Sequence, residues 1–263
     1  MQLDHVVFNT RDRTDEIVEA FTHLGFQVSE RGFHSLGSIN HTIVLDGTYL
    51  ELLGYPPGAP PPKRPELVNR PLGWMATVLA TDDADRTRTA LVAAGLAARP
   101  VQEFSRPVAL PDGSQPEARF RVTRLEPDAV PGTWYYYCQH LTPELVWRRE
   151  WQAHPNGAVG ISCIDIEVED LPLAARLHAN AMECDLPVIV GHAFEVRADA
   201  CTVRVRQGEA SRMEGLTVAV RAIDAVKSHL LRRGMPFVET KDGLCVDPAA
   251  LLGAKIQFKV QAR

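Results

Sequence analysis

Apolar residues enter this chain in a recurring order. Residues 3–8 form a short, nearly continuous apolar run, which reads as a strand. Asp12 or Thr14 then offers a cap, and Ile17, Ala20, Phe21 and Leu24 fall at helical spacing on one face. Gly25 follows, the residue that most easily takes a left-handed helix end. Residues 26–29, 39–45 and 49–53 read as three strands, with Asp46-Gly47 a hairpin signal between the last two.

The order returns three times. Residues 74–79 predict a strand, Asp82 or Asp83 caps a helix through Leu91 and Val92, Gly95 stops it, and residues 101–104, 118–125 and 134–138 supply strands. A third unit opens at residues 159–168 with its helix at Asp170-Leu171-Pro172, proline lying in the first turn where its missing N–H costs nothing. Its later strands are residues 193–196 and 201–205. The fourth runs from residues 216–220 through a helix carrying Ile223, Val226, Leu230 and Leu231, then Gly234 and strands at 237–239, 244–246 and 256–260. Four βαβββ modules in series predict an α+β fold of paired open sheets with helices on the outer faces, because a doubly wound sheet needs one helix per strand.

Two joints divide the pattern. Residues 54–71 hold Pro-Pro-Gly-Ala-Pro-Pro-Pro, too proline-rich for helix or sheet interior, and read as a stiff surface crossover. Residues 147–157 join the second unit to the third, which predicts two halves, 1–150 and 151–263, of two modules each.

Composition narrows the class. Of 263 residues, 45% are hydrophobic and 23% charged, values of a water-soluble globular chain able to bury a core without a structural metal. A formal charge of -5 argues against a nucleic-acid partner, and the arginines, among them Arg119, Arg121 and Arg124, read as scattered rather than as an anion-seeking patch. No apolar run approaches a membrane span, the opening residues lack the pattern of a secretory leader, and the five cysteines form no Cys-x-x-Cys pair. The expectation is a cytoplasmic protein with reduced thiols.

Short motifs add a family. Leu3-Asp4-His5-Val6-Val7 and Tyr49-Leu50-Glu51-Leu52-Leu53 resemble the first and fourth strands of a vicinal oxygen chelate module. Arg31-Gly32-Phe33-His34, Gly37-Ser38-Ile39-Asn40, Gln139-His140-Leu141-Thr142-Pro143-Glu144 and His154-Pro155-Asn156-Gly157 resemble the bacterial glyoxalase-like domain proteins. The resemblance covers about the first 160 residues and implies that two modules pair into a cupped sheet holding a divalent metal. Carried over by position, His5 and Glu51 are ligands, and Gln139 or His140 completes the set. Trp74 falls near the remaining position and cannot ligate.

An imidazole and a carboxylate suit Zn, Mn, Fe or Ni, and two or three protein ligands would leave adjacent positions for a substrate with neighbouring oxygens. Glu51 could alternatively shuttle a proton if burial raises its pKa. Asn40 shares a face with Ser38 and Thr42 and is the expected substrate donor, with His41 pointing the other way. His34, in a Gly-flanked loop, either contacts substrate or caps a turn. Tyr137 would stand on the face of Gln139, as part of an aromatic wall. His154 either overhangs the pocket mouth or belongs to a rigid joint packed under Trp147 and Trp151.

Two functions follow. One is a metal-dependent isomerase, lyase or hydrolase using the N-terminal cup on a small substrate with vicinal oxygens. The other is a metal-free protein that binds or sequesters a small molecule in the same cup. The C-terminal pair offers no comparable residue set and reads as structural, and exposed module edges invite a homodimer.

Overall fold

The computed structural model describes residues 1–58, 64–110 and 112–261. The first module is β1 (Leu3–Arg11), α1 (Thr14–His23), β2 (Gly32–Phe33), β3 (Ile39–Val44) and β4 (Tyr49–Gly54). A short helix α2 (Pro65–Asn69) leads to β5 (Gly73–Ala80), α3 (Ala84–Ala93), β6 (Gln102–Pro107), β7 (Glu117–Arg124) and β8 (Trp134–His140). These strands form one mixed sheet in the order β2-β3-β4-β1-β5-β8-β7-β6. The first strands of the two modules, β1 and β5, lie antiparallel at its centre, and each is flanked in parallel by its module's last strand. The predicted pairing of modules into a curved mixed sheet is what the chain adopts.

The second half repeats the plan with β9 (Ala158–Val168), α4 (Leu171–Ala181), β10 (Ala193–Ala198), β11 (Cys201–Gln207), β12 (Arg212–Val220), α5 (Ile223–Arg233), β13 (Phe237–Thr240), β14 (Gly243–Val246) and β15 (Lys255–Val260). Its sheet order is β10-β11-β9-β12-β15-β14-β13. The third module thus supplies one strand fewer than the others. After α4 the backbone makes only an isolated bridge, Val190 to Ala193, and Leu186, Val188 and Val190 stand exposed.

Local chemistry explains most helix ends. Asp83 accepts from the N–H groups of Asp85 and Arg86, and Asp170 from that of Leu173, each capping its helix. Neither Asp12 nor Thr14 caps α1, whose N-cap is Arg13; the Thr14 hydroxyl is instead bonded to that of Thr10 at 2.7 Å. The proline-rich joint also differs from expectation. Residues 65–69 are helical, because Pro65 is tolerated in a first turn, while residues 59–63 lie outside the described residues.

Both faces of the first sheet are covered. Val6, Phe8, Trp74, Tyr135 and Tyr137 share a core with Ile164, Ile166, Val218 and Phe258 of the second sheet. Val7, Tyr49, Val78, Phe120, Tyr136 and Cys138 form a separate cluster on the opposite, concave face. The second sheet instead gives its outer face to water and ion pairs, among them Arg204 with Glu195 and Asp165, and Lys255 with Glu214.

Candidate active site in the first sheet

The concave face of the first sheet holds a narrow cavity of about 30 Å³. His5 comes from β1, Asn40 and Thr42 from β3, and Tyr49 and Glu51 from β4; Val78 stands on β5, and Tyr136 and Cys138 on β8. The loop after β2 adds His34, α2's leading residue adds Arg64, and β6 and β7 add Phe104, Arg106, Phe120, Val122 and Arg124.

The register of β1 sets the chemistry. Leu3 pairs with Leu79 but His5 with Val78, so Asp4 is an extra residue, a bulge. A regular strand would turn Asp4 away from His5. The bulge instead leaves its carboxylate accepting from His5 Nδ1 at 2.5 Å and from His140 Nε2 at 2.9 Å. A carboxylate here only accepts, since His5 and His140 hold Asp4 down at about 2 even though burial opposes them. His5 therefore carries a proton on Nδ1 and turns Nε2 toward Glu51, its ring stacked on Tyr49 at 4.2 Å.

Glu51 stands between two imidazoles. His5 Nε2 is 3.8 Å from Glu51 Oε2, and His34 Nε2 is 3.8 Å from Oε1. Asn40 Nδ2 donates to Oε1 at 2.7 Å. Burial alone would raise the Glu51 pKa, as a buried carboxyl leads one to expect, but His5, His34, Asn40 and Arg64 outweigh it and lower it. Glu51 is thus a carboxylate at neutral pH. His34 is pushed down to about 4, chiefly by burial, so it is neutral there. Its Nδ1 is bonded to Ser38 Oγ at 2.8 Å.

The sequence-predicted residues separate into two groups. His5, Glu51, Asn40 and His34 converge in the cup, and His140 sits at its edge against Asp4 and Trp147. Gln139 does not join them: it faces outward, donating to Asp82 O at 2.6 Å and accepting from Ala84 N at the start of α3. Tyr137 lies on the same outward face, its hydroxyl donating to Ala181 O at 2.7 Å in the core between the sheets. The phase of β8 is thus opposite to that expected, and Tyr136, Cys138 and His140 face inward. Trp74 is also on the outward face, and Val78 of β5 lines the cup in its place.

His154 is a joint rather than a lid. Its Nδ1 accepts from Gln27 N at 3.0 Å and its Nε2–H donates to Val44 O at 2.9 Å, tying the connection to the first module. The residues that sequence reasoning passed over are Asp4, Tyr49, Tyr136 and the three arginines. Asp4, Cys138 and His140 also bring one donor atom each to within 4.8 Å of one another, a second cluster of ligand chemistry beside the first. Burial raises the Cys138 thiol well above its usual range, so it remains protonated.

Comparison with known proteins agrees with this geometry at the level of fold. A hypothetical protein from Staphylococcus aureus superposes with a TM-score of 0.73 at 12% identity, over 98% of this chain and 99% of that one. A variant of 4-hydroxymandelate synthase from Streptomyces coelicolor superposes with a TM-score of 0.62 at 12% identity, over 100% of this chain and 93% of that one. A search of curated proteins gives no match. The glyoxalase-like domain family matches residues 3–182, which span the whole cupped sheet and run on through α4. With its paired modules and the His5 and Glu51 strands in place, the chain belongs to the glyoxalase-like domain family of the vicinal oxygen chelate superfamily.

Proposed function

We propose that the cup of the first sheet is a catalytic site for a small substrate bearing oxygens on neighbouring carbons, and that its chemistry is proton transfer of the isomerase or lyase kind. The observation that carries this reading is the approach of His5 Nε2 to Glu51 Oε2 at 3.8 Å, with both side chains oriented from behind by Asp4 and Asn40. Asp4 holds a proton on Nδ1, so Nε2 is the ring atom placed to exchange a proton with substrate or water. Asn40 holds the Glu51 carboxylate in place. Neutral His34, on its other side, can donate or accept without adding charge. The narrow cavity keeps bulk water from competing for the proton.

The same two side chains fit a divalent ion, although they number two where three protein ligands are usual. Donors 3.8 Å apart can share one ion, whose distances to nitrogen and carboxylate oxygen sum to about 4.2 Å. The carboxylate behind His5 is the kind of partner that orients a ligating imidazole. His5 Nε2 and Glu51 Oε2 would hold the ion, which when bound would polarise a substrate oxygen as a Lewis acid. With Nε2 so occupied, neutral His34 beside Glu51 is left to exchange the proton.

Elemental analysis of protein purified without added metal tests this seat. About one divalent ion per chain is expected, lost in both His5→Ala and Glu51→Ala with the circular dichroism unchanged. An ion retained in both variants would place the metal elsewhere. The apolar walls Phe104, Phe120 and Val122 favour a second reading, a metal-free binding cup, which is supported if wild-type protein holds no ion and no catalysed proton exchange is measurable.

A further inference from the structure

Among the described residues, four buried side-chain nitrogens and oxygens have no hydrogen-bond partner, and three of them line the cup: Arg64 Nη2, Arg124 Nε and Tyr136 Oη. A buried polar group left unpaired costs about 1–3 kcal/mol, so three in one cavity call for a common partner. The two arginine nitrogens can only donate, and the phenol can donate too, which makes that partner an acceptor.

Charge points the same way. Arg64, Arg106 and Arg124 are all buried in the cavity wall. Arg64 Nε donates to Glu66 at 3.0 Å, and Arg124 Nη1 donates to the neutral Gln102 at 3.0 Å. Arg106 makes no ion pair among the described residues, and Glu51 is the carboxylate that bears on its charge. Of the three guanidiniums only Arg64 has an ion-pair partner among the described residues, Glu66, while Asp4 is engaged with His5 and His140, so Arg106 and Arg124 are left for a bound anion. Planar guanidinium forks match the two oxygens of a carboxylate. The Arg124 guanidinium also lies 5.1 Å over the Tyr136 ring, so two of the three side chains with orphaned donors are neighbours. Phe104 and Phe120, stacked at 5.3 Å, shield this wall from water.

We infer that Arg64, Arg106, Arg124 and Tyr136 form a carboxylate-binding subsite, and that the substrate is a small 2-oxo or 2-hydroxy carboxylate whose second oxygen-bearing carbon reaches His5 and Glu51. The second half of this inference rests on the proposed catalytic role of that pair; the subsite itself does not. Glu51 links the two regions, lying within the electrostatic reach of Arg64 and Arg106 while touching Asn40 and approaching His5 and His34.

Ligand-observed NMR with pyruvate, methyl pyruvate and inorganic phosphate tests it on the full chain. Pyruvate is expected to bind and methyl pyruvate, which keeps both neighbouring oxygens but loses the charge, to bind at least about tenfold more weakly. Tyr136→Phe, which removes one hydroxyl and little else, should weaken pyruvate about threefold to tenfold, and Arg124→Met about tenfold or more. Equal binding of acid and ester, pyruvate binding unchanged in both folded variants, binding of phosphate alone, or binding of no probe would each overturn the subsite. His5→Ala separates the two readings: pyruvate binding retained with proton exchange at its methyl carbon lost supports both. Binding retained with exchange unaffected leaves the carboxylate site standing and removes His5 as the base.

Discussion

Tyr135 donates its hydroxyl proton to His178 Nδ1 at 2.9 Å, and His178 Nε2–H donates to Pro131 O at 3.1 Å. Burial pushes this imidazole from 6.5 down to about 4, against the opposing pull of the Pro131 carbonyl. The unfolded chain therefore binds a proton below pH 6.5 that the folded chain refuses until about pH 4. The stability due to a neutral His178 is complete above pH 6.5 and falls by roughly 3 kcal/mol as pH drops to 4. His178→Gln should flatten that limb in urea unfolding measured at neutral pH and at pH near the lower value, leaving the part of the slope that His34 contributes with the same sign. An unchanged slope would refute the assignment. At the same scale, the arginines carried a signal that a count of charges hides. Ala118, Phe120, Val122 and Arg124 alternate along β7, so Arg124 occupies a position in phase with the buried face. Arg119 and Arg121, out of phase, pair with Glu103 and Asp85 at the surface. Phase, not abundance, distinguishes them.

Helix α1 ends where Gly25 takes φ +85°, and the Phe26 N–H reaches back to Phe21 O. Gly95, after α3, has φ +80° and the same local role. The two differ in surroundings: a Cβ on Gly25 would meet the His229 ring at 2.9 Å and Asn156 Cβ at 3.0 Å, whereas one on Gly95 meets nothing within 4 Å. Gly95→Ala should cost about 1–2 kcal/mol from backbone strain alone. Gly25→Ala should cost distinctly more, because His229 and Asn156 fasten the second half to the end of α1 through His23 O and Leu24 O. Chemical denaturation of both variants gives the comparison, and equal losses would show the contact to be slack. Strand β8 shows why element order is easier to read than element phase. Trp134, Tyr136 and Cys138 alternate with Tyr135 and Tyr137, so both faces are apolar and aromatic. Alternation cannot choose between faces when each is buried, which is why Tyr137 and Gln139 stand opposite to expectation. The Asp4 bulge is equally silent in sequence, being set by how β1 docks on β5.

Trp74 joins the two halves of the molecule. Its ring lies edge-on to Phe8 at 4.9 Å and to Phe21 at 6.2 Å, and its Nε1–H donates to Lys255 O at 3.2 Å. Since the sheets share this core, thermal unfolding should be a single transition, and Trp74→Ala should lower it as one step by about 3–5 kcal/mol. Two separated transitions, with only the first sheet affected, would show that the sheets fold as independent units. At this scale the primary structure determined the number of modules, their order and the glycine-marked C-terminal ends of α1, α3 and α5, because each depends on local periodicity and on residues a few positions apart. His5 and Glu51, by contrast, were legible only through the resemblance of their strands to those of the family. Tertiary structure alone decided which face of β8 meets the cup, where Asp4 turns its carboxylate, and that Arg64, Arg106 and Arg124 meet. Those outcomes depend on strand register and on which side of a doubly buried sheet is concave, and neither is set until distant strands pair.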